Sequence, residues 1–307
     1  MNLLKTSQRK VFNILGVALT LTVLAACDSA TQAPELNATS HNDGGSNFVA
    51  LNDNNTLVLF DGERSYRDSD DFTFRKVYGV DGRLLGIDYR PGNGKLYGLT
   101  STNKLYTIAP STGRATFVSQ LSISFGGGAL SGFDFNPVVD RLRLTGTNDQ
   151  NYRVNVDNGV VIVDGTLRYA QGDRNPGRDP SVTGSSYTNS VAGAQTTMLY
   201  GVGFRLDVLV TQNPANDGLL QTVGGLGVDF ANMAGFDIVA DGYWDRDGSY
   251  GGYGDNDDRD NDYTGYAVSN SRLYEIDLDN GRAERIKSLP AGTYRGLAVM
   301  LQDGDRY

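Results

Sequence analysis

One short pattern recurs at a fixed offset, and it restricts the chain to repeat architectures. Leu84-Leu-Gly-Ile-Asp88 returns 46 residues later as Leu130-Ser-Gly-Phe-Asp134. Eight residues after each Asp comes Leu96-Tyr-Gly-Leu-Thr100 or Leu142-Arg-Leu-Thr145. Then follow Lys104-Leu-Tyr-Thr-Ile108 or Tyr152-Arg-Val-Asn-Val156, a turn with Gly113 or Gly159, and Ala115-Thr-Phe-Val118 or Val160-Val-Ile-Val163. Each unit therefore holds four short strands of alternating or continuous apolar character, separated by Gly/Asn/Asp turns. Four strands in forty-odd residues is the pattern of one β-propeller blade.

Further copies begin near Ser186-Tyr-Thr-Asn-Ser190 and at Met233-Ala-Gly-Phe-Asp237. The first segment has only three strands, Phe48–Leu51, Thr56–Phe60 and Phe74–Tyr78, and Arg295-Gly-Leu-Ala-Val299 supplies the missing inner one. The last strand then closes the first blade and removes a free sheet edge. The expected fold is all-β: a β-propeller of five four-stranded blades over 47–302, with a tail at 303–307. The blades fall at 47–80 plus 295–301, 84–127, 130–185, 186–230 and 233–290. A β-sandwich or open meander competes with this reading, and a sixth blade would need a sheet hidden in an irregular stretch. High glycine (39 residues) with plentiful Val, Thr, Tyr and Phe favours strands and tight turns.

The N-terminus gives an address. Lys5, Arg9 and Lys10 precede an apolar run from Val11 to Ala26, which ends in Leu24-Ala-Ala-Cys27. That is the layout of a secretory signal, and the run is short for a spanning helix. Leu-Ala-Ala-Cys resembles the lipobox of bacterial lipoproteins. The resemblance implies cleavage of residues 1–26, lipid on Cys27, and a lipid anchor in the cell envelope on the extracytoplasmic side. A plain signal peptide or an uncleaved anchor is the alternative. Residues 27–46, rich in Ser, Thr, Asn, Asp and Gly, read as a flexible tether. Without the signal, 24 Lys and Arg face 36 Asp and Glu, a net charge of −12. Such a surface repels nucleic acid.

Composition excludes much chemistry. His41, in a polar stretch just after the signal, is the only histidine, and Cys27, at the signal's end, is the only cysteine. A Ser-His-Asp or Cys-His arrangement is therefore impossible, as are imidazole or thiolate zinc sites and internal disulfides. Any catalysis must use carboxylates, hydroxyls, Lys, Arg or an oxygen-bound metal.

Leu209-Val-Thr-Gln-Asn-Pro-Ala-Asn-Asp-Gly218, continuing through Leu220-Gln-Thr-Val-Gly-Gly-Leu-Gly-Val-Asp229, resembles a family catalogued as domain of unknown function 4394. Ala170-Gln-Gly-Asp173, Leu130–Pro137 and Asp140-Arg-Leu-Arg143 support the likeness, which covers most of 50–300. The resemblance implies a propeller-like, often secreted protein with no assigned reaction. The acidic stretch 241–262 stands out as an insertion relative to the other blades.

Several residues are candidates for a site. Asp88, Asp134 and Asp237 occupy equivalent inner-strand positions. Their ordinary role is to satisfy backbone N–H groups; the functional alternative is a set of carboxylates around one channel. A carboxylate-based hydrolase acting on glycans would use two of them, about 5–5.5 Å or 6.5–9.5 Å apart according to stereochemistry. Asp255, Asp257, Asp258, Asp260 and Asp262 offer hard oxygen ligands for Ca²⁺, although no EF-hand spacing is present; a solvated loop is the alternative. Trp244 and Tyr250, set among glycines, suit sugar stacking or merely cover a blade end. Arg168, Arg174 and Arg178, in a long connection, could clamp a carboxylate or phosphate on the channel face or form surface ion pairs. Asn213–Gly218 reads as a turn that shapes a hairpin. The favoured expectation is a non-enzymatic binding or interaction module for a small molecule, glycan or protein. The glycan hydrolase and a calcium-stabilised envelope structural protein are the alternatives.

Overall fold

The computed structural model describes residues 47–61, 72–128, 130–230, 235–240 and 263–299. Blade one holds β1 (Asn47–Asn52), β2 (Thr56–Asp61) and β3 (Thr73–Lys76). Blade two holds β4 (Leu84–Arg90), β5 (Lys95–Thr100), β6 (Lys104–Ile108) and β7 (Ala115–Gln120). Blade three follows with β8 (Ser131–Asn136), β9 (Arg141–Gly146), β10 (Asn151–Asn155) and β11 (Val160–Val163). After β12 (Arg168–Tyr169), blade four has β13 (Val182–Tyr187), β14 (Leu199–Gly203), β15 (Val208–Gln212) and β16 (Leu219–Gly225). Blade five has β17 (Gly235–Ala240), β18 (Tyr263–Ser269), β19 (Arg272–Asp277) and β20 (Ala283–Ser288), and β21 (Tyr294–Val299) comes last. Within each blade the strands that follow one another in sequence pair as an antiparallel meander, and the five blades form a ring, a five-bladed β-propeller.

The ring closes as the split repeat requires. β21 pairs antiparallel with β1, Leu51 opposite Gly296 and Val49 opposite Ala298. Blade one is thus ordered β21-β1-β2-β3. The inner strands β21, β4, β8, β13 and β17 each pack against the next, and β17 returns to β21.

Position in the blade explains the sequence of each strand. Inner strands touch a neighbouring blade on both faces, so β4 and β13 are buried at every residue and cannot alternate polar with apolar. Outer strands such as β7 and β11 are largely exposed. The apolar cores lie between blades. Leu85, Tyr97, Leu99 and Leu105 of blade two meet Phe133, Phe135, Leu142 and Leu144 of blade three. Val49, Leu51 and Leu57 of blade one likewise meet Ile87, Leu96 and Ile108 of blade two.

Glycine sets how closely blades approach at the centre. A Cβ on Gly132 would sit 1.9 Å from Ser185 Oγ, and one on Gly235 only 2.3 Å from the carbonyl carbon of Gly296. This is the close backbone approach expected of a strand glycine.

Blade four differs from the sequence expectation. Its inner strand starts at Val182, ahead of residue 186, and blade three's sheet ends at Val163. The polar run Thr183-Gly-Ser-Ser186 disguises a fully buried strand; small hydroxyl residues are needed there because β8 comes so close. The connection between the blades contributes β12, which adds a fifth strand parallel to β16 at the outer edge of blade four.

Candidate functional site: the hub

The inner strands share one ring pattern, read as Gly, one residue, then Asp. It runs Gly86–Asp88, Gly132–Asp134, Gly184–Ser186, Gly235–Asp237 and Gly296–Ala298. Three blades carry a carboxylate, one a hydroxyl and one a methyl.

The carboxylates belong to the ring's own hydrogen bonding. Asp88 accepts from the Phe135 amide of the next blade at 2.9 Å, and Asp134 from the Tyr187 amide at 3.0 Å. Asp237 accepts from the Val299 amide of β21 at 2.7 Å. Where the preceding blade lacks a carboxylate, the next one serves itself. Behind Ala298, the Tyr89 amide donates to Asp88 Oδ1 at 2.7 Å. Behind Ser186, the Ile238 amide donates to Asp237 Oδ1 at 2.7 Å, and the Ser186 hydroxyl donates to the same oxygen at 3.0 Å. Three side chains thereby satisfy the equivalent amide of all five blades.

The electrostatics are strained. Asp88, Asp134 and Asp237 are 6%, 2% and 5% exposed, and one oxygen from each lies within 4.8 Å of the others. Burial raises all three pKa values. Mutual repulsion adds to this for Asp88 and Asp134, and the amide hydrogen bonds oppose it. Asp237 is raised to about 6. Amide donors alone would favour the charged form; here desolvation outweighs them. The cluster is the described set of acidic side chains with metal-ligand spacing. However, five of its six oxygens already accept from backbone amides, whereas calcium takes six to eight oxygens.

The other layer of the hub is unlike this. A small pocket is lined by the five ring glycines (Gly86, Gly132, Gly184, Gly235 and Gly296) together with Ile87, Ser131, Phe133, Ser185, Phe236, Arg295 and Leu297. It has room for about one water molecule. Arg295 is 4% exposed, and its Nε and Nη1 have no hydrogen-bond acceptor among the described residues. Burial, followed by the like charge of Arg83, lowers its pKa, and Asp53 opposes the shift.

The arginines expected to form a clamp sit elsewhere. Arg168 donates to the carbonyls of Thr166 and Asp217, and Arg174 to that of Val223 in the outer strand β16. Both, like Arg178 in the same connection, are exposed. Arg168 and Arg174 brace the outer edge of blade four, far along the sheet from the inner strand, so of their two expected places these two take the surface rather than the channel face, bonding carbonyls there instead of carboxylates. Asn213–Gly218 does more than turn the chain. Asn216 accepts from Arg143 Nη2 at 2.8 Å, and Arg143 also bonds Asp164, Asn151 and the Tyr187 hydroxyl. That buried fork ties blade three to blade four, much as Arg90, bonded to Asp140 and Asp157, ties blade two to blade three. Cys27, Trp244, Tyr250, Asp255, Asp257, Asp258, Asp260 and Asp262 lie outside the described residues.

Sequence reasoning passed over Arg295. Its signal was a lone charge beside the ring glycine, where the other described inner strands carry Leu85, Ser131 and Thr183.

No protein of curated function matches the chain. A structure of a protein of unknown function from Bacteroides thetaiotaomicron VPI-5482 is 15% identical, with a TM-score of 0.42, over 75% of this chain and 52% of the other. BamB from Moraxella catarrhalis is 11% identical, with a TM-score of 0.33, over 80% of this chain and 59% of that one. The chain thus spans between half and three-fifths of these two structures. The family model described as Domain of unknown function (DUF4394) matches residues 56–298, and the chain belongs to that family.

Proposed function

We infer that the protein is a non-enzymatic binding propeller, held on the extracytoplasmic side of the envelope by lipid on Cys27. One observation carries the non-catalytic part: the hub carboxylates that a glycan hydrolase would use are buried and accept from backbone amides of their own and neighbouring blades. A glycosidase needs one carboxyl that gives a proton and another that attacks or activates water, in unequal environments beside a substrate cleft. Here the three sit in equivalent strand positions and satisfy equivalent amides. The only histidine, His41, falls in the stretch read as a tether and the only cysteine is the lipidation candidate, which speaks against histidine- and cysteine-based nucleophile–base pairs. Lipid anchoring rests on the Leu-Ala-Ala-Cys27 sequence.

A screen against soluble polysaccharides tests the first half, with Asp134→Ala as the control. No release of reducing sugar by either protein is expected; hydrolysis by the wild type that Asp134→Ala abolishes would overturn the reading. Metabolic labelling with a tagged fatty acid tests the second half. Label is expected on the wild type and absent from Cys27→Ser.

A further inference from the structure

Arg295 is out of place by every ordinary rule. A guanidinium is almost never fully buried unless it is paired, and a buried donor without an acceptor costs about 1–3 kcal/mol, more when charged. Its neighbours do not relieve it. Ser131 donates its hydroxyl to the Gly128 carbonyl at 2.6 Å, and Ser185 shares a hydrogen bond with Thr145. Thr183, at the equivalent position of blade four, is itself buried with an unpartnered hydroxyl.

Backbone geometry explains how the side chain came to be there. Pairing between β21 and β1 runs from Gly296 opposite Leu51 to Tyr294 opposite Asn52, so Arg295 is skipped. The same irregularity skips Leu85 between β4 and β5, and Thr183 between β13 and β14. Bulges re-aim a side chain out of the regular alternation. In blade two the skipped residue is a leucine that joins the apolar core; in blade one it is an arginine that lines the hub pocket. The ring glycines, which have no side chains to fill it, line that pocket together with Arg295.

We propose that this end of the hub is an anion site, in which Arg295 receives one compact negative group, a halide ion or a carboxylate. The size of the pocket sets the limit, since room for about one water excludes a whole sugar or nucleotide. A planar guanidinium suits a carboxylate through two parallel N–H bonds, whereas a halide needs only the charge. Arg83, exposed on the segment leading into β4, adds a second positive charge, and Asp53 a negative one that tempers it. The proposal deepens the binding reading above by naming what the hub mouth takes.

Titration of the full chain in detergent, with sodium acetate and separately with sodium chloride, tests it. A bulky sulfonate salt holds ionic strength constant, and binding is followed by calorimetry and thermal melting. Wild type is expected to show a saturable response to at least one anion. Arg295→Met is expected to bind at least about tenfold more weakly, the equivalent of losing a charged hydrogen bond. It should also melt higher than wild type in sulfonate, because an apolar chain of similar volume replaces an unpaired buried charge. Arg295→Lys separates the two sources: chloride binding is retained while acetate binding falls, as loss of the guanidinium fork requires, and this variant carries the test if the Met variant does not fold. A wild type indifferent to both anions, or an unchanged response in every folded Arg295 variant, overturns the proposal. Either result leaves the non-catalytic reading standing, and hydrolysis in the polysaccharide screen would leave anion binding untouched.

Discussion

Two layers of the same five strands, a few residues apart, follow opposite rules. In the Asp layer, three carboxylates serve five amides and a hydroxyl. In the layer of Arg295 and Thr183, buried donors go without partners. Repeat symmetry accounts for the first, since each blade presents the same amide to its neighbour. The second breaks symmetry, with Leu85, Ser131, Thr183 and Arg295 at one ring position. A satisfied polar ring rigidifies a fold; an unsatisfied one is where a structure leaves room for something else.

The largest expected effect damages both layers at once. Gly235→Ala places a methyl group 2.3 Å from the Gly296 carbonyl carbon and must push β17 away from β21. Overpacking of this kind costs about 3 kcal/mol, read from the shift of a urea midpoint. A loss well below 1 kcal/mol would mean that the blades are not in contact there.

The next prediction sets the Asp layer alone against pH. Asp237, raised from 3.8 to about 6 by burial, keeps a proton in the folded state that the unfolded chain releases. Stability from this source is complete below about pH 4 and is lost as pH rises through about 6, amounting to roughly 2–3 kcal/mol at most. Wild type should therefore lose melting temperature over that window, and Asp237→Asn should lessen the loss by this residue's share, Asp88 and Asp134 supplying the rest. A wild type that gains stability from this layer as pH rises would show that the carboxylates carry full charge, held by a cation.

Asp134→Ala follows in size. It strips the Tyr187 amide of its acceptor and should cost about 2 kcal/mol. Asp134→Asn keeps an acceptor and removes a repelling charge, so it should stay within about 1 kcal/mol of wild type. Equal damage from both in a denaturation series would mean that charge, rather than hydrogen-bond acceptance, is what the ring needs.

The smallest effect marks the contrast between hub and rim. Arg174→Ala removes an exposed bond to the Val223 carbonyl; it should move stability by no more than about 0.5 kcal/mol and leave acetate and chloride titrations unchanged.

Much of this was legible in the chain because repetition is a long-range signal. The return of Gly-Ile-Asp88 as Gly-Phe-Asp134 and Gly-Phe-Asp237, together with three strands at one end and a fourth at the other, was enough to count blades and close the ring. Blade four was harder to delimit. Thr183-Gly-Ser-Ser186 is buried by the proximity of β8 rather than by hydrophobicity, so apolar patterning pointed past its start. The arginines of 168–178 drew attention by crowding, yet crowding does not say which edge of a sheet a loop visits. Arg295 escaped because its environment depends on a register skip. Sequence alternation assumes an unbroken ladder, and a bulge cancels that assumption at the residue that matters.

The pairing of β1 with β21 sets a timetable. A chain leaving the ribosome carries β1, β2 and β3 without their inner companion until residues 294–299 are free. The ring cannot lock before then, so the first blade to be made is the last to be finished.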